Sequence, residues 1–361
     1  MEERHLVRFD KEITKIIKGF AIIFMMILHC YGRINYNTEL SYEYYPLNGF
    51  HGSFKICVGI FNFMVGYGYA FSKTKNWKYS VQHIKKLLIP YWTILFVFSV
   101  PVCIGTILKN NLITFLYSLI GITDGVPVIY LHFSWFVHFF IYAMIVMPFI
   151  SRFINKRPLM NSIVAIAATF SIGILFHEIP RFLAVINIIV PRVADTSFPL
   201  AVFNCLMMTP LMILGYLFAH QGYYEKINIS MINGFWISVI CISTIVLIIT
   251  ILRPYTFNVN NPFNLDFFYA PIVIGAIAVF FNKFRCHYFR IVMVKIGEVS
   301  VYMWFFHALF YTQAIRWFYQ PVITIFNDIN LVVLWTIVLT FFASWLIKSI
   351  VEAITKSLGL L

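Results

Sequence analysis

The sequence predicts an all-α polytopic membrane protein, a bundle of about ten transmembrane helices with both termini cytoplasmic. Three observations predict it. Of the 361 residues, 61% are hydrophobic and only 11% charged, against about 25% charged in soluble domains. Apolar stretches of about 20 residues, the length a bilayer core requires, recur from one end of the chain to the other. The Lys and Arg residues gather at alternate junctions between those stretches, the pattern of a positive-inside topology.

Taken in order, residues 1–14 mix both charge signs and read as a cytoplasmic N-terminal segment. Met1 to Lys15 suit a short surface helix, with Asp10 placed to cap a first turn at Lys11-Glu12-Ile13. Spans then follow at approximately 15–33, 53–72, 86–108, 132–151, 160–177, 198–220, 232–252, 266–282, 297–318 and 329–351. The apolar segments 111–122 and 181–190 are too short to cross and read as interfacial or re-entrant. No repeat and no low-complexity linker interrupts the chain, so residues 1–361 are treated as one membrane domain. An even number of spans places both termini on one side. Of the 27 Lys and Arg residues, only Arg33, Lys55, Lys109, Arg181, Arg192, Arg253 and Arg316 fall on the opposite side, so the termini side is cytoplasmic. Tyr and Trp near the span ends, such as Tyr44, Trp77, Trp92 and Trp317, fit an interfacial aromatic belt.

Several function classes are excluded. The net charge of +13 lies in inter-span loops with no basic–aromatic face, so nucleic acid is not a partner. The six cysteines are scattered, five of them in apolar runs, with no CxxC or Cys/His spacing. Small buried hydrophobes explain them, and no metal site is expected. The sequence holds no phosphate-binding glycine loop, no HExxH and no GxSxG elbow. The charged N-terminus leads into a full-length span without a small-residue cleavage site, unlike a signal peptide.

The first span carries the strongest candidate chemistry. Lys18 opens its apolar run and His29 follows eleven residues later. Eleven steps of ~100° return to within about 20° of the starting direction, and the rise is roughly 16 Å. Lys18 and His29 therefore share a helix face, with Lys18 at one mouth and His29 near mid-depth. A polar residue there is costly and often functional, and imidazole is suited to act as a general base near neutral pH. A hydrogen-bonded packing histidine fits the residues equally well, and Lys18 alone is also a topology marker. Gly19 beside it leaves room for something to approach the helix. A second cation cluster, His83, Lys85 and Lys86 ahead of Pro90-Tyr91-Trp92, suits either a phosphorylated ligand or anionic lipid. The glycines within Asn62–Tyr69 read as close helix packing. Trp135, between His132 and His138 in span four, and Ser300, Trp304 and His307 at i, i+4 and i+7 in span nine present polar and aromatic faces. Those faces suit a sugar or acyl pocket as well as bundle packing. Glu39 and Glu43 are the acids nearest the outer end of span one, placed to orient a histidine or contact a substrate hydroxyl.

Together these features resemble the acyltransferase 3 family of bacterial integral-membrane acyltransferases, from about residue 10 to residue 350. The resemblance rests on Lys18 to His29, on Phe61-Asn62-Phe63-Met64-Val65-Gly66-Tyr67, and on the basic stretch entering Pro90-Tyr91-Trp92. Ser134-Trp135-Phe136 and the run Ser300–His307 complete it. The family's serine before Gly-Tyr is Val65 here, so no serine role carries over. Its arginine pair at span three is replaced by lysines and His83, which lack bidentate geometry. The resemblance implies an O-acyltransferase of the bacterial cytoplasmic membrane that moves an acyl group, most often acetyl, from cytoplasmic acyl-CoA to a carbohydrate hydroxyl. It implies His29 as catalytic base and Lys18, His83, Lys85 and Lys86 as contacts for the CoA donor. Glu39, Glu43, Trp135, Ser300, Trp304 and His307 are then acceptor-binding or supporting residues. Acetyl-CoA is a substrate in this reading, and no bound cofactor is expected. Cell-surface or lipid-linked glycan is the acceptor, membrane lipids surround the protein, and a homodimer is compatible. The rival reading is a transporter or flippase of a lipid-linked glycan or small molecule, although no inverted repeat is visible.

Overall fold

A computed structural model describes residues 7–33, 50–72, 75–109, 112–122, 131, 134–189, 197–228, 233–253, 265–284, 286–312 and 314–357. Among them no strand forms, and the helices follow the apolar stretches. They are α1 (Lys11–Arg33), α2 (Ile56–Ala70), α3 (Trp77–Ile94), α4 (Val100–Lys109), α5 (Leu112–Leu119), α6 (Trp135–Lys156) and α7 (Pro158–Ile189). After them come α8 (Ser197–Gln221), α9 (Gly234–Leu247), α10 (Asp266–Lys283), α11 (His287–His307), α12 (Arg316–Ile323) and α13 (Ile329–Ser357). A π turn, Leu95–Ser99, joins α3 to α4, and a second, Ile248–Leu252, extends α9.

Among the described residues nine stretches are long and apolar enough to cross a membrane. The tenth expected span is α2, which has only 15 residues, or about 22 Å of rise. The 3₁₀ turn His51–Lys55 precedes it directly and adds about 10 Å, so the pair reaches across a ~30 Å core. The surface agrees with a lipid environment. Phe235 and Trp236 on α9 are 66% and 60% exposed, and Trp345 on α13 is 55% exposed. Apolar exposure on that scale would promote association in water.

Several boundaries differ from the expectation for physical reasons. Asp10 caps α1 through its carboxylate, which accepts from the Glu12 and Ile13 amides at 2.9 and 3.0 Å. Residues 11–15 are therefore the first turn of the span itself, and no separate surface helix precedes it in the described residues. The segment 181–190 does not stand apart, because α7 runs unbroken to Ile189. Span nine begins at His287 rather than 297, since Arg290 and Lys295 find acids, Glu12 and Glu298, at 2.5 and 3.2 Å. It ends in a 3₁₀ turn, Ala308–Phe310, and Trp317 belongs to the separate short helix α12.

The contacts divide the chain into two compact units. One holds residues 1–71, 214–300 and 326–341, and the other residues 72–213, 301–325 and 342–361. In the first unit, helices approach closely at glycines. A Cβ on Gly297 of α11 would lie 1.9 Å from the Lys15 carbonyl oxygen, and one on Gly215 of α8 would lie 2.0 Å from that of Phe63. Gly68, by contrast, has nothing within 4 Å, so packing does not explain it. In the second unit, Gly121 turns the chain at φ +78° where Ser134 and Val137 leave no room for a side chain. His138 Nδ1 holds that turn by its hydrogen bond with the Gly121 carbonyl at 2.9 Å.

Candidate active site

Helix α1 places Lys18 and His29 on one uninterrupted stretch of backbone. Both are half-buried. His29 stands four residues before the helix end, a little over one turn, rather than midway along it. Lys18 correspondingly begins the third turn from the helix start. The space beside Gly19 is filled by another helix, because a Cβ there would meet the Met293 carbonyl oxygen at 2.6 Å. That close crossing of α1 and α11 brings Lys15 Nζ to 2.7 Å from Glu298 Oε1, while Lys295 takes Oε2 at 3.2 Å. Both oxygens of Glu298 are thus engaged by Lys15 and Lys295. Among the described residues Lys18 has no ion-pair partner, which leaves a half-buried ammonium able to meet an anionic group.

The other end of α1 meets a group that the sequence did not single out. The His51 ring packs over Gly32, where an added Cβ would lie 3.4 Å from its Cδ2 and 3.6 Å from its Nε2. Gly32 is three residues beyond His29, so the two are neighbours on the helix surface. The next residue of that turn, Gly52, accepts through its carbonyl from Arg253 Nη1 at 2.5 Å. Arg253 also donates from Nε and Nη2 to the two oxygens of Asp266 at 2.7 and 2.9 Å. Hydropathy offered one clue, a cation and an acid at the facing ends of two spans. The bond to Gly52 is 201 residues away in sequence and left no local signature.

At the opposite end of the same unit, Phe9 stacks on Tyr224 at 5.0 Å and Tyr67 donates to Glu225 at 3.0 Å. Tyr224 donates to the Pro271 carbonyl at 2.8 Å. Burial, with Tyr67 and Glu225 nearby, holds its hydroxyl well above the ordinary tyrosine range, so it remains a donor at neutral pH. Tyr67 belongs to the Phe61–Tyr67 run noted in the sequence.

The remaining candidates lie mostly in the second unit. His83 is turned back on its own helix, sharing a hydrogen bond with the Tyr79 carbonyl at 2.9 Å and stacking on the Tyr79 ring at 3.8 Å. Lys85 and Lys86 are exposed. Trp135 and Trp304 do come together, with ring centroids 5.6 Å apart, and Phe136 stacks on Trp304 at 4.8 Å. Trp304 and His307 are buried, and His307 Nδ1 is 3.0 Å from the Met303 carbonyl. Ser300, in the first unit, donates to its own helix at the Gly297 carbonyl, 2.9 Å away. Glu39, Glu43 and His132 lie outside the described residues.

A family model described as an acyltransferase domain matches residues 14–349. The chain belongs to the acyltransferase 3 family. No curated protein and no solved structure matches it significantly. As a family member it is a multi-pass membrane acyltransferase, and the family match takes in both Lys18 and His29. No cluster of His, Cys, Asp and Glu suited to a metal occurs among the described residues.

Proposed function

We propose that this acyltransferase moves an acyl group, acetyl by preference, from cytoplasmic acyl-CoA to a hydroxyl of a cell-surface or lipid-linked carbohydrate. The observation that carries the reading is α1 itself. One continuous helix bears a half-buried lysine without an acid partner among the described residues and, about 16 Å further along, a half-buried histidine. An ammonium in that setting suits a phosphate of the donor, and the distance suits an extended pantetheine arm. Lys85 and Lys86, both exposed, are further cations for an anionic donor, and the positive-inside pattern sets the Lys18 end of α1 toward the cytoplasm.

In this mechanism a neutral His29 accepts the proton of the acceptor hydroxyl as its oxygen attacks the thioester carbonyl carbon. The tetrahedral oxyanion collapses, the C–S bond breaks, and the CoA thiolate takes the proton back from the imidazolium. The products are the O-acyl sugar and free CoA thiol. A water-poor site strengthens any hydrogen bond to the oxyanion. Transfer in this reading is direct, with His29 as base, and an acyl-histidine intermediate is the alternative route. The test is thiol release from acetyl-CoA by purified protein, paired with mass spectrometry of surface glycans from cells with and without it. His29→Ala should lower transfer at least a hundredfold. Normal transfer by that variant overturns the mechanism, and uptake or flipping without thiol release overturns the acyltransfer reading.

A further inference from the structure

We infer that the buried Arg253–Asp266 pair is a positioning device for the acyl-transfer site, holding the His51–Lys55 turn against the end of α1 that carries His29. The inference rests on the placement of catalysis at His29 given above. Arg253 is 1% exposed and Asp266 5%. A buried ion pair seldom outperforms apolar residues of similar volume as a source of stability, and ionised groups in a membrane protein are costly. What this pair supplies that apolar packing cannot is direction. The planar guanidinium spends Nε and Nη2 on the two Asp266 oxygens, which fixes its plane, and aims Nη1 at the Gly52 carbonyl. Three elements are joined at one point, namely the end of the π turn after α9, the first residue of α10 and the turn before α2.

The consequence falls on His51. It heads the same turn, one residue before the clamped carbonyl, and its ring lies over Gly32. The turn's backbone sets where that ring starts, one residue before the carbonyl that Arg253 holds. A second imidazole is thereby kept one helical turn from His29, at the end of α1 opposite the end nearer Lys18. Arg253 and Asp266 act through the turn and touch no reacting atom.

Two measurements on the full-length protein test this. In Gly32→Cys/His51→Cys, mild oxidation followed by peptide mass spectrometry reads the link between positions 32 and 51. Adding Arg253→Met should lower its yield at least fivefold. In the otherwise native chain, Arg253→Met and Asp266→Asn should each lower kcat for thiol release from acetyl-CoA about tenfold, with KM for acetyl-CoA within twofold. Unfolding lowers apparent kcat without changing KM, so kcat is normalised to the natively folded fraction of each variant, and a normalised kcat within twofold of native overturns the assignment. Where Arg253→Met fails to fold, Arg253→Lys replaces it. A lysine cannot serve both Asp266 oxygens and Gly52 in one plane, so native kcat and native link yield in that variant overturn the proposal. The link needs no chemistry. A link that depends on Arg253 beside a fully active His29→Ala variant would overturn the location of the site, whereas a link indifferent to Arg253 overturns the clamp.

Discussion

The crossing of α1 and α11 can be tested with a single methyl group. A Cβ built on Gly297 would lie 1.9 Å from the Lys15 carbonyl oxygen and 2.6 Å from its carbonyl carbon. Non-bonded Cβ contacts below 3.0 Å essentially do not occur, so the two backbones must separate by about 1.1 Å to admit alanine. Neither atom is the end of a flexible side chain, and the separation loosens the whole crossing, including the reciprocal contact of Gly19 with the Met293 carbonyl at 2.6 Å. Inserting a methyl into such a contact costs about 1–3 kcal/mol. Gly68→Ala is the matched control. It adds the same group on a helix where nothing lies within 4 Å, and relief of glycine's chain entropy should stabilise it by roughly 0.5–1 kcal/mol. The two variants should therefore differ by about 1.5–4 kcal/mol, a gap of about 2–5 °C in apparent melting midpoint for a chain of 361 residues. Cys30, Cys57, Cys103, Cys205 and Cys241 are buried, so a thiol-reactive fluorophore reports their exposure on heating in detergent. Midpoints within 1 °C of each other would refute the close crossing.

Two further outcomes follow from the site. Lys18→Met should raise KM for acetyl-CoA about tenfold, the worth of one charge-assisted hydrogen bond, while kcat stays within twofold. An unchanged KM in steady-state thiol-release assays would remove Lys18 from the donor contacts. Trp304→Ala removes a buried ring stacked on Phe136 at 4.8 Å and should cost about 3–5 kcal/mol, seen as a large drop in melting midpoint. Trp304→Phe should restore most of it, and a native melt for the alanine variant would show that the ring serves something other than packing.

The sequence displayed what is periodic and hid what is long-range. The apolar stretches and the Asp10 cap were legible because each is written in a few adjacent residues, and the Lys18–His29 face followed from the helical repeat alone. Helix ends were harder wherever a charged residue is tolerated by a distant partner. Arg290 and Lys295 look like the outside of a membrane span until Glu12 and Glu298 account for them, and α11 accordingly starts ten residues early. The same physics separates Gly19 from Gly68. Both are glycines in apolar helices, yet only the first lies against another backbone, and no local pattern distinguishes them. His51 and Arg253 carried no motif, since their relation to α1 passes through a backbone carbonyl, a group every residue possesses. Directional hydrogen bonds to the main chain are therefore the natural place to look for positioning residues in a bundle whose side chains are otherwise apolar. Arg253, which is almost fully buried and points one nitrogen at Gly52, uses that option.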